Sequence, residues 1–293
     1  MRKTFKSVGI ISKGNDTESG PLVRTLCELI RKLGSQVYVE TACGKNDRLP
    51  YPQFPIEQLG QHCDLVVIVG GDGTLLCAAR HLAQDDIPLV GVNQGRLGFL
   101  VDISPKQINE KIQAILCGHY VEENRYLLSA EVIRQRKTIH RADALNDVVL
   151  YKWNTACMIE FDTHIDDRYL LTQRSDGMII STPTGSTAYS LSGGGPIIHP
   201  SLNATLLLPI CPHTLSNRPI VVSGNSCINI RLNNPDLEAQ ITTDGQDCFT
   251  ITQDDQIVIR QKTEPIRLLH PPGYDYFNVL RAKLHWGSQN VRD

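Results

Sequence analysis

Asp64–Arg80 runs DLVVIVGGDGTLLCAAR, a strand, a glycine turn and the opening of a helix. Leu65–Val69 is an unbroken apolar run rich in valine and isoleucine, as expected of a central parallel strand buried on both faces. Leu75–Arg80 suits a first helical turn, with Thr74 placed to cap it. Between them lies Gly70-Gly71-Asp72-Gly73. Glycines there permit positive φ and let the backbone approach a ligand closely, and the helix that follows offers free N–H groups to an anion. A carboxylate in such a turn repels phosphate unless it does chemistry or holds a metal. The plain alternative is a tight strand-to-helix turn. Three glycines around one aspartate, at the strand end where open α/β sheets bind ligands, favour a nucleotide or phosphate site.

Working outward, the first 120 residues or so alternate strand and helix. Phe5–Ile11 reads as a strand, Pro21–Leu33 as an amphipathic helix stopped by Gly34, and Val37–Glu40 as a second strand. Thr41–Pro55, with three prolines, reads as a loop. Ile87–Val92 is another apolar strand, followed at the same sheet edge by NQGRLGFL, Asn93–Leu100. Ser104-Pro105-x-Gln107 reads as a capping box that opens a helix ending near Gly118. The alternation predicts a doubly wound α/β domain over residues 1–122.

From Tyr126 the texture changes to short strands punctuated by turns. Leu127–Ile133, Asp147–Lys152, Met158–Ile165, Met178–Ser181, Ile228–Leu232, Ala239–Thr243, Ile257–Arg260 and Ile266–Leu269 are among them. This predicts a β-rich, sandwich-type domain over 123–270. A tail over 271–293, broken at Pro271-Pro272-Gly273, carries a short helix around Ala282–Trp286 and is expected to pack back on the first domain. Within the β domain, Arg174–Pro196 (RSDGMIISTPTGSTAYSLSGGGP) gathers Ser and Thr hydroxyls and glycines around one aromatic, Tyr189. Hydroxyls and backbone amides suit sugars and phosphates, and a ring offers a base a stacking face. The alternative is a polar connecting loop, although loops this long are usually functional.

Composition bounds the partners. The chain has 293 residues, 41% hydrophobic and 20% charged, with a net charge of −2. It therefore has no general attraction for nucleic acid or anionic membranes. Its 9 cysteines form no C-x-x-C pair. With an N-terminus that reads as a strand and not a secretory signal, they suggest a reduced, cytoplasmic protein with structural thiols. No run approaches the length of a membrane span.

The motifs taken together resemble the bacterial NAD kinase family. GGDGT at Gly70–Thr74, NQGRLGFL, Asn146-Asp147, TPTGSTAYS at Thr182–Ser190 and Asp244-Gly245-Gln246 occur in that family's order and spacing over nearly the whole chain. GGDG alone is weak, being shared with diacylglycerol-type lipid kinases and, in variant form, phosphofructokinases; TPTGSTAYS beside it is strong. The resemblance implies a Rossmann-like, phosphofructokinase-like α/β domain, a C-terminal β domain and an active site between them. It implies transfer of the γ-phosphoryl group of ATP to the adenosine 2′-hydroxyl of NAD, with a divalent cation, Mg²⁺ or Mn²⁺, accompanying ATP.

The same resemblance implies roles for individual residues. Asp72 is the proton acceptor, with metal ligation as the competing assignment. Gly70, Gly71 and Gly73 cradle phosphate. Asn146 and Asp147 hydrogen-bond the adenosine; read alone they are a turn before a strand. Thr187, Ala188 and Tyr189 line the adenine pocket, which Ser190, Leu191 and Ser192 extend. Arg174 and Asp176 meet the nicotinamide half, and Gln246, alone a turn residue, joins the NAD site. Asp147 stands where many relatives have Glu. Cys157 is not placed in the site, and Arg96 faces either the dinucleotide or solvent. No residue is assigned to a resident metal.

Two other functions compete. A lipid kinase sharing GGDGT would want an apolar entry surface or a basic membrane-facing patch, and the sequence shows neither. A non-catalytic NAD sensor would have no need of Asp72. The β domain's many strand edges, together with the resemblance, predict a homodimer or homotetramer.

Overall fold

The computed structural model describes residues 5–13, 19–44, 49–153, 157–214, 216–233 and 238–286. The chain divides into two compact units, Met1–Asn124 with Ile266–Asp293, and Arg125–Pro265.

The first unit is built on a seven-stranded sheet. In spatial order its strands are Gln53–Phe54, Gln36–Glu40, Ser7–Ser12, Leu65–Val69, Leu89–Val92, Ile266–His270 and Val121–Arg125. Ser7–Ser12, Leu65–Val69 and Leu89–Val92 pair in parallel. All five residues of Leu65–Val69 are buried, as the apolar run requires. On one face Val67 and Val69 pack with Val23, Leu26 and Ile30 of the helix Ser19–Lys32 and with Ile112 and Ile115 of Ile108–Leu116. On the other, Gly9 leaves room for Leu59 of the short helix Ile56–Leu59 to sit against the strand. Helices therefore cover both faces, and the strand ends converge on the glycine turn.

Several local expectations change. Ile266–His270, read from the sequence as part of the β domain, pairs in parallel with Leu89–Val92. It fits there because Ile266, Leu268, Leu269 and His270 are all buried, which an alternating sandwich strand would not be. The helix after the glycine turn spans Asp72–Leu82, so Asp72 begins it, Gly71 is its N-cap, and Thr74 does not cap it. Thr41–Pro55 contains a one-turn helix, Thr41–Gly44, and the strand Gln53–Phe54. Ser104 makes no cap bond, and Pro105–Gln107 is instead a 3₁₀ turn leading into Ile108–Leu116. The terminal helix lies at Tyr276–Leu284, capped by Asp275, whose carboxylate accepts from Phe277 N at 2.9 Å.

The second unit is a sandwich of two six-stranded antiparallel sheets. One has the order Arg168–Ser175, Ile159–Ile165, Ile228–Leu232, Asp255–Gln261, Leu128–Arg134, Lys137–Ala144. The other runs Ile220–Ser223, Ala204–Ile210, Gly177–Ser181, Asp147–Lys152, Ala239–Thr243, Asp247–Ile251. Phe161, Ile230 and Ile257 from the first meet Leu150, Ile180 and Leu207 from the second in a shared core. Period-two alternation then turns Asp147, Val149 and Tyr151 to the outer face of the second sheet. The Arg174–Pro196 stretch is not one loop. Its first part belongs to the strands Arg168–Ser175 and Gly177–Ser181, and the remainder holds a 3₁₀ turn at Gly185–Thr187 and a one-turn helix at Tyr189–Ser192.

Because Ile266–His270 sits inside the first sheet while the sandwich is closed by its own strands, truncation should separate the two. A chain ending at Pro265 is expected to lose the cooperative unfolding of the first unit, whereas residues 125–265 alone should unfold cooperatively in urea. A first unit that still melts cooperatively without residues 266–293 would contradict the strand's structural role.

Candidate active site

In the first unit the glycine turn is shaped by contact and space. None of Gly70, Gly71 and Gly73 has positive φ, and Gly71 is extended, so the expected left-handed backbone is not used. Gly70 is required because a Cβ there would meet Thr74 Oγ1 at 2.5 Å. Gly71 and Gly73 face open space, with nothing within 4 Å of a Cβ built on either. They border a cavity of about 550 Å³ that also touches Ser12, Lys13, Thr74 and Gln94. The N-terminus of an 11-residue helix opens there, and its dipole favours an anion.

Asp72 is held by the loop after Leu89–Val92. Its Oδ2 accepts from Phe99 N at 2.9 Å, and its Oδ1 from Leu100 N at 2.9 Å and Val101 N at 3.3 Å. Gly98 makes this approach possible, since a Cβ there would lie 2.2 Å from Asp72 Oδ1. The NQGRLGFL segment therefore wraps its backbone around the carboxylate. Oδ2, with one amide bond, keeps a lone pair for a further donor. Arg96 is exposed.

In the second unit another aspartate does the same work. Asp244 Oδ2 accepts from Leu145 N at 2.9 Å, and Oδ1 from Asn146 N at 2.8 Å and Asp147 N at 3.2 Å. On the other side, Asn146 O accepts from Thr182 N at 2.9 Å and Ser181 Oγ at 3.2 Å. Gly185 lies so close that a Cβ would stand 2.1 Å from Asn146 O. With its backbone fixed from both sides, Asn146 turns its side chain to a cavity of about 650 Å³ on the outer sheet face.

That cavity brings together Asn146, Asp147, Asp176, Ala188 and Tyr189 of the expected residues. Tyr189 is 50% exposed, so its ring is available as a stacking surface. Thr187, Ser190, Leu191, Ser192 and Gln246 are not among the residues bordering it. The hydroxyls of this segment mainly brace it. Ser190 Oγ donates to Gly185 O at 3.1 Å, Thr187 Oγ1 to Thr184 O at 3.2 Å, and Ser186 Oγ to Pro183 O at 2.6 Å. Arg174 is not brought in either, being 63% exposed with its nearest charge partner Glu160 at 3.8 Å. Cys157 is exposed and outside the cavity.

Sequence reasoning missed Val149, Tyr151, Lys152, Ile210, Thr242 and Cys248, which also border the cavity. Lys152 pairs with Asp176 at 2.6 Å, giving the cavity a fixed charge pair. Period-two counting from Asp147 would have found Val149 and Tyr151. Lys152 needed the neighbouring strand's register.

Asp147 is the electrostatic anomaly. Burial, reinforced by the negative charge of Asp244, pushes its carboxyl up from 3.8 to about 7. It therefore titrates near neutrality, able to donate a hydrogen bond when protonated and only to accept one when ionised. No cluster of three or more His, Cys, Asp or Glu side chains able to hold a metal occurs among the described residues.

A parallel sheet with an open glycine turn at its strand ends, and a sandwich with a braced, aromatic-flanked polar cavity, define a nucleotide-binding phosphotransferase. Residues 8–120 match the ATP-NAD kinase N-terminal domain and residues 145–270 the ATP-NAD kinase C-terminal domain. The chain belongs to the NAD kinase family. It is 46% identical over 290 residues to an NAD kinase of Pseudomonas putida (strain W619), covering 97% of each chain. It is 45% identical over 295 residues to one of Cellvibrio japonicus (strain Ueda107), covering 98% of each. Among solved structures, an NAD kinase from Archaeoglobus fulgidus in complex with ATP superposes with a TM-score of 0.76 at 26% identity, over 95% of this chain and 98% of that one. Yeast NADH kinase complexed with NADH shares the fold, with a TM-score of 0.87 at 24% identity over 98% and 90% of the two chains.

The raised Asp147 carboxyl has a signed consequence for stability. Its folded value lies above its unfolded one, so no penalty exists below about pH 4 and the native state loses stability as pH rises toward about 7. Asp147→Asn should therefore be more stable than the parent at pH 8 by on the order of 4 kcal/mol, and little different at pH 4. Urea midpoints at the two pH values check this.

Proposed function

We propose that Asp72 takes the proton from the adenosine 2′-hydroxyl of NAD while the turn Gly70–Thr74 cradles the phosphates of ATP. The reaction itself, ATP-dependent phosphorylation of NAD to NADP, follows from the match of both domains and from relatives near 45% identity over almost the whole chain. That coverage carries the functional reading and leaves the lipid-kinase alternative without support.

The first unit supplies the donor side. Gly71 and Gly73 leave the cavity open beside the helix N-terminus, whose dipole favours phosphate, and Lys13 at the same cavity contributes positive charge. The lone pair left on Asp72 Oδ2 accepts the hydroxyl proton. The O2′–P bond then forms as the bond between the γ-phosphorus and its bridging oxygen breaks, and ADP leaves. The second unit supplies the acceptor side, with Tyr189 stacking on adenine and Asn146 and Asp147 hydrogen-bonding the adenosine. Asp176, paired with Lys152, meets the nicotinamide half. Gly70 holds the turn without facing the ligand. A divalent cation, Mg²⁺ or Mn²⁺, accompanies ATP as part of the phosphoryl donor.

The same reading extends to the enzyme's setting. Nine cysteines with no C-x-x-C pair support a reduced, cytoplasmic location, and no described helix is long and apolar enough to cross a membrane. The edge strand Ile220–Ser223 carries Ile220 and Val221 at 37% and 48% exposure, which supports a homodimer or homotetramer covering that edge.

Two substitutions test these roles. Asp72→Asn should lower turnover by about 10²–10⁴-fold while NAD still binds, measured by NADP formation beside calorimetric NAD titration; near-normal turnover would remove the base. Tyr189→Ala should weaken NAD binding by about 1–3 kcal/mol with a smaller effect on kcat. Unchanged affinity would reduce Tyr189 to packing.

A further inference from the structure

The backbone segment that holds Asp72 is itself anchored from the end of the chain. Asp102 directly follows the three amides that bind Asp72, and its Oδ2 lies 3.0 Å from Nδ1 of His270. His270 is 2% exposed and Asp102 8%. Asp102 Oδ1 is buried with no hydrogen-bond partner, so the bond to His270 is what offsets the cost of burying this carboxylate. On the ring's other side, Nε2 lies 3.6 Å from Glu123 Oε2, and Tyr274 stacks on its face at 3.7 Å and 10°. A second tether comes from the terminal helix. Lys283 Nζ donates to Leu97 O at 3.0 Å and stands 5.3 Å from the centre of the Phe99 ring.

We propose that His270 and Lys283 are positioning residues, which clamp residues 97–102 so that the amides of Phe99, Leu100 and Val101 hold the Asp72 carboxylate in its working orientation. The two tethers bracket the amides: Lys283 grips the chain at Leu97 just before them, and His270 grips Asp102 just after them. Burial alone would lower the imidazole's pKa, but the hydrogen bond with Asp102 and the charges of Asp102 and Glu123 outweigh burial and raise it. The ring sits between two carboxylates, which favour its charged form. Neither tether reaches the ligand cavity beside Gly71 and Gly73, so their effect passes through the backbone. The catalytic part of this inference rests on Asp72 acting as the base.

Amide hydrogen exchange and steady-state kinetics on the full chain test it together. In His270→Gln, exchange at Phe99, Leu100 and Val101 should quicken by about tenfold or more while Leu65–Val69 stays protected as in the parent. Turnover should fall by about tenfold or more, with KM for NAD and for ATP within about twofold. Lys283→Met, which leaves the buried ion cluster intact, should change the same quantities in the same direction to a smaller degree, and it keeps the test open if His270→Gln does not fold. Unchanged exchange at Phe99–Val101, or exchange that quickens equally in Leu65–Val69, overturns the clamp. Loosened amides with parental turnover overturn its catalytic role. Asp72→Asn run alongside separates the two ideas, because parental turnover there removes the base whatever the exchange data show.

Discussion

One aspartate in each unit accepts three consecutive backbone N–H groups, and the two candidate sites take their shape from these contacts. Asp72 binds the amides of Phe99, Leu100 and Val101; Asp244 binds those of Leu145, Asn146 and Asp147. Hydrogen bonds to a charged acceptor contribute about 1.5–3 kcal/mol each, more than neutral ones. Three on one carboxylate are enough to fix a short stretch of backbone. The glycines then follow as a steric consequence. Gly98 admits the Asp72 oxygen, and Gly185 admits the carbonyl of Asn146, each at a distance no side chain would tolerate.

The two carboxylates have different fates. Asp244 spends its acceptor capacity on structure, and its charge is felt by the next acid along, Asp147, whose proton is held to near neutrality. Asp72 has one amide on Oδ2 and stands at the first turn of a helix beside an open cavity, so it retains capacity for a ligand. The same interaction thus serves as a brace in one unit and as a brace with a free lone pair in the other. The base proposed for Asp72 needs that second kind of carboxylate: held in place, yet able to take a proton.

Much of this was legible in the sequence because it is local. Leu65–Val69 could only be a buried parallel strand, and GGDGT at its end could only be read with the helix that follows. The alternating strands after Tyr126 announced a sandwich. What was hidden depends on register and return. Ile266–His270 looks like the next strand of the sandwich, and nothing short of three dimensions shows it inserted beside Leu89–Val92. Asp244 reads as a turn residue because its partners lie 97 to 99 positions away. In the Ser/Thr segment the hydroxyls of Ser186, Thr187 and Ser190 brace their own turn, and of residues 187–192 Ala188 and Tyr189 border the cavity.

The central claim is that an aspartate's grip on consecutive amides, more than the residues that touch the ligand, sets the binding geometry. Asp244 offers the most direct test, because Asn146 and Asp147 remain in place when it is removed. Calorimetric titration of NAD into folded Asp244→Ala should show affinity weakened by about tenfold or more, equal to about 1.4 kcal/mol or more. An affinity within about twofold of the parent would contradict the account.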